Sequence, residues 1–388
     1  MLLIKSADLY APEHLGVRDI LICGGKIAAV GTDLTFETNA VETEVVDAGG
    51  DPVVPGYVDQ HVHVIGGGGE AGPYSRTPEV MLSHIVTAGV TTVVGVLGTD
   101  GTTRRPEDLL AKVRALETEG ITAYMLTGSY ELPPVSLTGD LRRDMILIDK
   151  VIGIGEVAVS DHRSSQPTLD ELKRLVTQAR VGGMLAGKAG AVQFHMGVGT
   201  AGLSMLFRIL EETEIPARHL IPTHVNRTEA LFEESLDFAR AGGYMDITSG
   251  IRAAEGFEGC VEPSRAIRLC LEREVPAERI TMSSDGNGCM AVRDEEGKTA
   301  LLVTKLHSLH EEVRDAVRKE GVSLSDAVSV CSANPARANG LWPVKGAVRP
   351  GSDADLLFLD DRCSIRSVMA RGRFFVREGK LLARGTFE

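Results

Sequence analysis

The chain has 388 residues, 43% hydrophobic and 24% charged, enough to bury a large core without a disulfide or a metal to hold it together. Its 41 basic and 54 acidic side chains leave a formal net charge of -13, which argues against nucleic acid or an anionic membrane as the main partner. The six cysteines are scattered without a CxxC pair, and the opening MLLIKSADLY has no secretory apolar run, so a cytoplasmic protein with reduced thiols is expected.

In chain order, the first fifty residues alternate like short strands with turns: LLIKSADLY, DILICGGKIAAVG and EVVDAGG, with Gly24-Gly25 and Gly49-Gly50 at the reversals. The last forty read the same way, through GAVRPGSDADLLFLD and IRSVMARGRFFVREGKLL. The economical organisation is one small β domain made from both ends, 1–52 with 344–388, and a middle, 53–343, inserted into it. Strand candidates in that middle fall at 52–63, 91–98, 122–130, 151–160, 191–197, 220–226, 244–250 and 280–286. Helical stretches such as PEDLLAKVRALETEG, TLDELKRLVTQAR and TEALFEESLDFARAGG separate them. Continuous apolar strands alternating with helices make a parallel sheet, and eight such units favour a closed (β/α)8 TIM barrel over an open sheet.

The polar residues of these strands gather at one end. His61 and His63 end the first, Tyr130 the third, His195 the fifth, His224 the sixth and Asp285 the eighth, while Glu156 lies within the fourth. In a barrel these ends converge on the face where active sites are built. Residues i and i+2 of a strand point to one side, so the imidazoles of His61 and His63 project together, as nitrogen donors suited to zinc. Two histidines that merely alternate on a strand are the alternative, and it weakens once His195, His224 and Asp285 stand at three other strand ends. Glu156 adds a carboxylate that either bridges two histidine-bound metals or pairs with a nearby cation, since burying it alone would be costly. Asp285, in SSDGNG, is either a helix N-cap or a metal ligand that takes a proton from attacking water; the constellation favours the second.

The substrate side is written in other residues. Tyr130 can donate to a developing oxyanion. Glu70 follows the glycine run 66–69, where a ligand can approach the backbone closely, and suits an ammonium group. Gly68 of that run and Thr99, after the second strand, join the substrate-binding set. Arg163 in SDHRS and Arg227 in HVNR suit carboxylates in forked geometry, with His162 orienting Arg163. Each charge alone is a surface residue; together they describe a pocket for something small and zwitterionic.

At these residues the sequence resembles the amidohydrolase superfamily over essentially the whole chain. VPGYVDQHVH resembles its first-strand signature, and SANPARANGL with KGAVRPGSDADLLFLD its return from barrel to β-sandwich. Within it, HVHVIGGGGEAGP, LTGSYELPPVSLTG, SDHRSSQPT, HMGVG, PTHVNR and the DGNG segment resemble the isoaspartyl dipeptidase family. The resemblance implies a β-sandwich for the terminal domain and a dinuclear zinc site, with His61, His63 and Asp285 on one ion and His195 and His224 on the other. It places Glu70 on the substrate α-amino group, Tyr130 on the scissile carbonyl, and Arg163 and Arg227 on carboxylates. It implies a metallopeptidase that hydrolyses β-aspartyl dipeptides through a metal-bound hydroxide, assembled as a homo-oligomer.

Two positions depart from that family. Glu156 stands where it carries a carboxylated lysine. The same charge on a shorter stem implies either a two-zinc site drawn inward and bridged by Glu156, or a one-metal site. Cys289 stands where the family has a serine, as a small substrate-facing or buried side chain. Two other readings compete: a deacylase or cyclic-amide hydrolase on the same fold, acting on a small zwitterionic or acylated amino acid, and a non-catalytic scaffold that has kept the barrel. The intact histidines and Asp285 weigh against the last.

Overall fold

The computed structural model describes residues 1–36, 42–293 and 299–388. Five strands open the chain: β1 Leu2–Tyr10, β2 His14–Cys23, β3 Lys26–Gly31, β4 Glu44–Asp47 and β5 Pro52–Pro55. Eight more follow, each succeeded by helix or loop: β6 Tyr57–Val62, β7 Val90–Gly95, β8 Thr122–Thr127, β9 Val151–Val159, β10 Ala191–Met196, β11 Leu220–Thr223, β12 Met245–Thr248 and β13 Ile280–Ser283. Each of these pairs in parallel with the next. The seam between β13 and β6 is drawn together by the Val62–Gly286 bridge and by the His63 amide donating to Gly286 O at 2.9 Å. The result is the parallel TIM barrel expected from eight βα units.

Every residue of these eight strands is buried except the half-buried Tyr124. Strands covered on both faces read as continuous apolar runs, which is why they were legible. The helices outside carry one apolar stripe. Leu169–Ala186 starts on a capping box between Thr168 and Glu171, stops at the left-handed Gly187, and buries Leu172, Leu175, Val176 and Ala179. The barrel interior below the mouth is polar and hydrogen-bonded around Gln60: its Nε2 donates to Asp246 Oδ1 at 2.7 Å and to Thr281 Oγ1 at 2.9 Å, and Asn339 donates to Gln60 Oε1 at 2.8 Å.

After β13 the chain makes an antiparallel hairpin, β14 Cys289–Arg293 with β15 Thr299–Val303. Three helices then lead to β16 Leu356–Leu359, β17 Ile365–Ala370, β18 Arg373–Arg377 and β19 Lys380–Leu381. Both ends of the chain meet in one sheet of order β19-β18-β17-β16-β5-β1-β2-β3, with β4 on β1. Ile4, Leu9, Ile20 and Ile22 from the first end share its core with Leu356, Phe358 and Met369 from the last. The buried Lys345 ammonium ties this sheet to the barrel, 2.8 Å from Asp353, 2.7 Å from Asp355 and 2.5 Å from Thr122 on β8.

Two expectations are corrected. The segment 52–63 is not one strand. It breaks at Gly56, where a side chain would meet Thr91 Oγ1 at 2.4 Å, and Val53 and Val54 pair with β16 in the terminal sheet. The strand candidates 122–130, 220–226 and 280–286 also end early, at Thr127, Thr223 and Ser283, so Tyr130, His224 and Asp285 stand just beyond the ladder. Among the described residues no helix is long and apolar enough to cross a membrane.

Candidate active site

The site is built around one carboxylate. Glu156, near the end of β9, is fully buried. Its Oε1 lies 3.2 Å from His61 Nε2 and 3.7 Å from His63 Nε2. Its Oε2 lies 3.0 Å from His195 Nδ1 and 3.7 Å from His224 Nε2. The carboxylate therefore spans two pairs of imidazoles, one per oxygen. Asp285 faces the first pair, with Oδ1 3.1 Å from His63 Nε2 and 3.5 Å from His61 Nε2. The chain turns left-handed at His224 (φ 63°) and at Asp285 (φ 53°), which swings both side chains inward from the strand ends.

Several of these atoms have no hydrogen-bond partner although they are buried: His61 Nε2, Glu156 Oε1 and His224 Nε2 among them. His61 Nε2 and Glu156 Oε1 are 3.2 Å apart yet not aligned for a hydrogen bond. Orphaned lone pairs converging on one space fit a divalent cation, and a buried cluster without one would be costly. His61, His63 and Asp285 each bring a ligand atom within 4.8 Å of the others, as do His61, Glu156 and His224. His195 falls in neither group. Its Nδ1 lies 2.6 Å from the Tyr130 hydroxyl, and its place opposite Glu156 Oε2 keeps it beside the second group.

The charges of the cluster shape one another. Burial acts to lower the His61 pKa, but the Glu156 charge outweighs it and holds the imidazole at about 9. Burial opposes ionisation of Glu156 as well, and the His61 charge, with the His195 imidazole 3.0 Å away, keeps it well below the usual carboxylate range. Burial, with Arg227 and His195 nearby, pushes His224 well down, so it is a neutral imidazole with a lone pair to give. A cation at His61 must displace that ring's proton. Uptake of a divalent cation by metal-stripped protein is therefore expected to release protons and to weaken by up to about tenfold per pH unit as the pH falls below the raised His61 pKa. Zinc titration at several pH values checks this, and a pH-independent affinity would contradict it.

Above the cluster a cavity of about 250 Å³ is lined by Gly68, Glu70, Thr99, Tyr130, Arg163, Arg227 and Cys289, with His162, Phe257 and Met290. Every substrate-side candidate from the sequence thus faces one space. Glu70 Oε1 accepts from Thr99 Oγ1 at 2.8 Å and from Arg163 Nη1 at 3.3 Å. Gly68 is required: it is left-handed (φ 71°), and a Cβ there would sit 2.5 Å from Cys289 Cβ and 2.4 Å from Ser75 O. The buried Arg104 holds this loop by donating to Gly67 O at 2.7 Å and Gly68 O at 3.0 Å. Burial, then the Glu156 charge, raises the Tyr130 phenol well above its ordinary value, so it keeps its proton. Burial and Glu70 likewise raise the Cys289 thiol, which is a neutral wall rather than a nucleophile.

Sequence reasoning gave His162 the task of orienting Arg163. The structure gives it to Asp161, whose Oδ1 accepts from Arg163 Nε at 2.9 Å and whose Oδ2 accepts from Nη2 at 2.8 Å. Phe257 and Met290 were also missed. They pack with Ile251 and Cys260 into one apolar wall, drawn from segments with no periodic pattern to mark them.

A parallel barrel carrying histidines and carboxylates at its C-terminal mouth defines a hydrolase class, and the chain belongs to the amidohydrolase family, whose sequence profile matches residues 53–375. It is similar at 42% identity to the β-aspartyl dipeptidase of Fervidobacterium islandicum AW-1, solved in complex with a β-Asp-Leu dipeptide; the match covers 98% of both chains with a TM-score of 0.89. A D-hydantoinase from Bacillus sp. AR9, at 17% identity and a TM-score of 0.69 over 99% of this chain and 97% of that one, shares the fold. By sequence the chain is 27% identical to an adenine deaminase of Bacillus velezensis over 97% of its own length and 57% of the deaminase. It is 26% identical to an L-hydantoinase of Paenarthrobacter aurescens over 92% of this chain and 85% of that one. The chain spans little more than half the length of that adenine deaminase.

Proposed function

We propose that this amidohydrolase is a two-zinc dipeptidase of β-aspartyl bonds, whose ions would be held by Glu156 with its two imidazole pairs and Asp285. The observation that carries the proposal is the pairing of the Glu156 oxygens, one toward His61 and His63 and the other toward His195 and His224. Two divalent ions there would supply an activated water and polarise the scissile carbonyl. The chain's own residues do the rest. Asp285 is held as a carboxylate by the His63 hydrogen bond against the effect of burial; it accepts the proton of the attacking water and passes it to the leaving amine. Tyr130 donates its O–H to the carbonyl oxygen as that oxygen becomes negative.

The pocket supports the substrate class. A β-aspartyl dipeptide keeps a free α-amine and α-carboxylate on its aspartyl residue and a second carboxylate on the leaving residue. Glu70 complements the ammonium, and Arg163 and Arg227 complement carboxylates. An α-peptide without an acidic first residue offers those two guanidiniums one carboxylate fewer. The likeness to a dipeptidase solved with β-Asp-Leu points the same way.

The test is hydrolysis of β-Asp-Leu, α-Asp-Leu, N-acetyl-leucine and hydantoin by protein purified without chelator, with metal counted by elemental analysis. Two zincs per chain and turnover confined to β-Asp-Leu are expected. Turnover of hydantoin or N-acetyl-leucine without β-Asp-Leu would replace this reading with the cyclic-amide or deacylase one.

A further inference from the structure

Asp161 lies two residues beyond β9, and its side chain is only 5% exposed. Its position is set by backbone packing. The chain turns left-handed at Ser160 (φ 53°), and Ser160 O approaches so closely that a Cβ at Gly197 or Gly199 would meet it at 2.2 or 2.6 Å. The loops after β9 and β10 are therefore held backbone to backbone, and Asp161 is delivered between them.

Its two oxygens serve different masters. Oδ1 accepts from the Arg163 backbone amide at 2.8 Å and from Arg163 Nε at 2.9 Å. Oδ2 accepts from Arg163 Nη2 at 2.8 Å and also lies 3.3 Å from His195 Nε2 and 4.0 Å from Arg227 Nη1. Two of the guanidinium's nitrogens are thus engaged with Asp161, and Nη1 is the end that reaches toward Glu70 and the cavity.

His195 faces opposite chemistries on its two nitrogens. Nδ1 looks at Glu156 and Tyr130. Around Nε2 stand Arg163 Nη2 at 3.0 Å, Arg227 Nη1 at 3.4 Å and, both at 3.3 Å, Asp161 Oδ2 and the Tyr130 hydroxyl. A guanidinium offers donors only. When Nδ1 gives its lone pair to a cation, the ring proton sits on Nε2, and Asp161 is the anionic acceptor among these neighbours, the Tyr130 hydroxyl being a neutral one. A carboxylate behind a ligating imidazole fixes its tautomer and raises its basicity.

We propose that Asp161 is a positioning residue that ties the His195 imidazole to the Arg163 guanidinium, so that metal retention and substrate-carboxylate recognition depend on one shared anion. The inference rests on the two-metal dipeptidase reading, and it predicts a coupling that reading does not contain. A change on the recognition side, at Arg163, should be felt by the metal.

The test is zinc retention against a competing chelator, with no substrate present, together with the visible spectrum of cobalt-loaded protein and the KM and kcat for β-Asp-Leu. Asp161→Asn keeps the size and one acceptor but presents an amide to the His195 N–H. It should bind zinc at least about tenfold more weakly, alter the cobalt spectrum, and raise KM more than it lowers kcat. Arg163→Gln, at a side chain one quarter exposed, serves if the first variant does not fold, and it should also loosen zinc measurably. Zinc affinity and cobalt spectrum unchanged in either folded variant would overturn the proposal, even if KM rises. If the wild-type chain holds zinc but does not cleave β-Asp-Leu, the chelator competition still decides the role of Asp161, and the substrate reading fails alone. A wild-type chain that holds no metal overturns both.

Discussion

Asp285→Asn is expected to lower kcat/KM for a β-aspartyl dipeptide by at least about 10³-fold while leaving the fold and most of the bound zinc in place. Asparagine adopts the left-handed backbone of this position as readily as aspartate does. The local backbone contacts survive as well, because the Gly288 amide and the Thr304 hydroxyl donate to the Asp285 carbonyl, not to its side chain. The amide still offers an oxygen to a cation between His61 and His63. What it cannot do is accept a proton from water and hand it on. Steady-state kinetics with elemental analysis of the same sample separates the two functions. Turnover near the wild-type rate would remove Asp285 from proton transfer and leave it as a ligand only.

Glu156→Ala should be as damaging for a different reason. Among the described residues this carboxylate is the one anion facing both imidazole pairs, and it is the main cause that lifts the His61 pKa to about 9. Without it the histidines surround a fully buried space with no negative charge to bridge two dications. Zinc content is expected to fall from two per chain to one or none. The loss of metal polarisation, worth several kcal/mol, should lower kcat/KM by roughly 10³-fold or more. Glu156→Lys with added bicarbonate should recover part of both, by restoring a carboxylate on a longer arm. Undiminished zinc in Glu156→Ala would reduce Glu156 to a buried partner for His61 and His195.

Much of this arrangement was legible before any coordinate. The barrel strands are visible because burial on both faces makes most of them near-continuous apolar runs, and most of the ligands because they interrupt or follow those runs at one end. What stayed hidden has physical causes. PVVPGYVDQHVH reads as a single strand because apolar residues run on both sides of Gly56; the close approach of Thr91 that excludes a side chain at that break is a contact 35 residues away. The left-handed turns at His224 and Asp285 use no glycine, so nothing marked where those strands end. Asp161 sits next to a histidine and an arginine in sequence and so reads as part of a solvated charge cluster. Its burial is conferred by the glycine-lined loop after β10.

The metal-facing groups and the recognition groups stand at different depths of the scaffold. His61, Glu156 and His195 lie in barrel strands, and His63, His224 and Asp285 follow within two residues of strand ends, whereas Glu70, Arg163, Arg227 and Phe257 lie farther out in the loops. Loops tolerate replacement and strands of a closed barrel do not. For a laboratory lineage, mutations that retune which amide enters can therefore accumulate in the loops without passing through inactive intermediates. Libraries confined to residues 69–72, 164–166 and 252–260 should hold many functional sequences, whereas libraries confined to the strand ends should hold few. Asp161 is the exception to that freedom, a loop residue tethered to a ligand, and a drifting lineage would be expected to keep it.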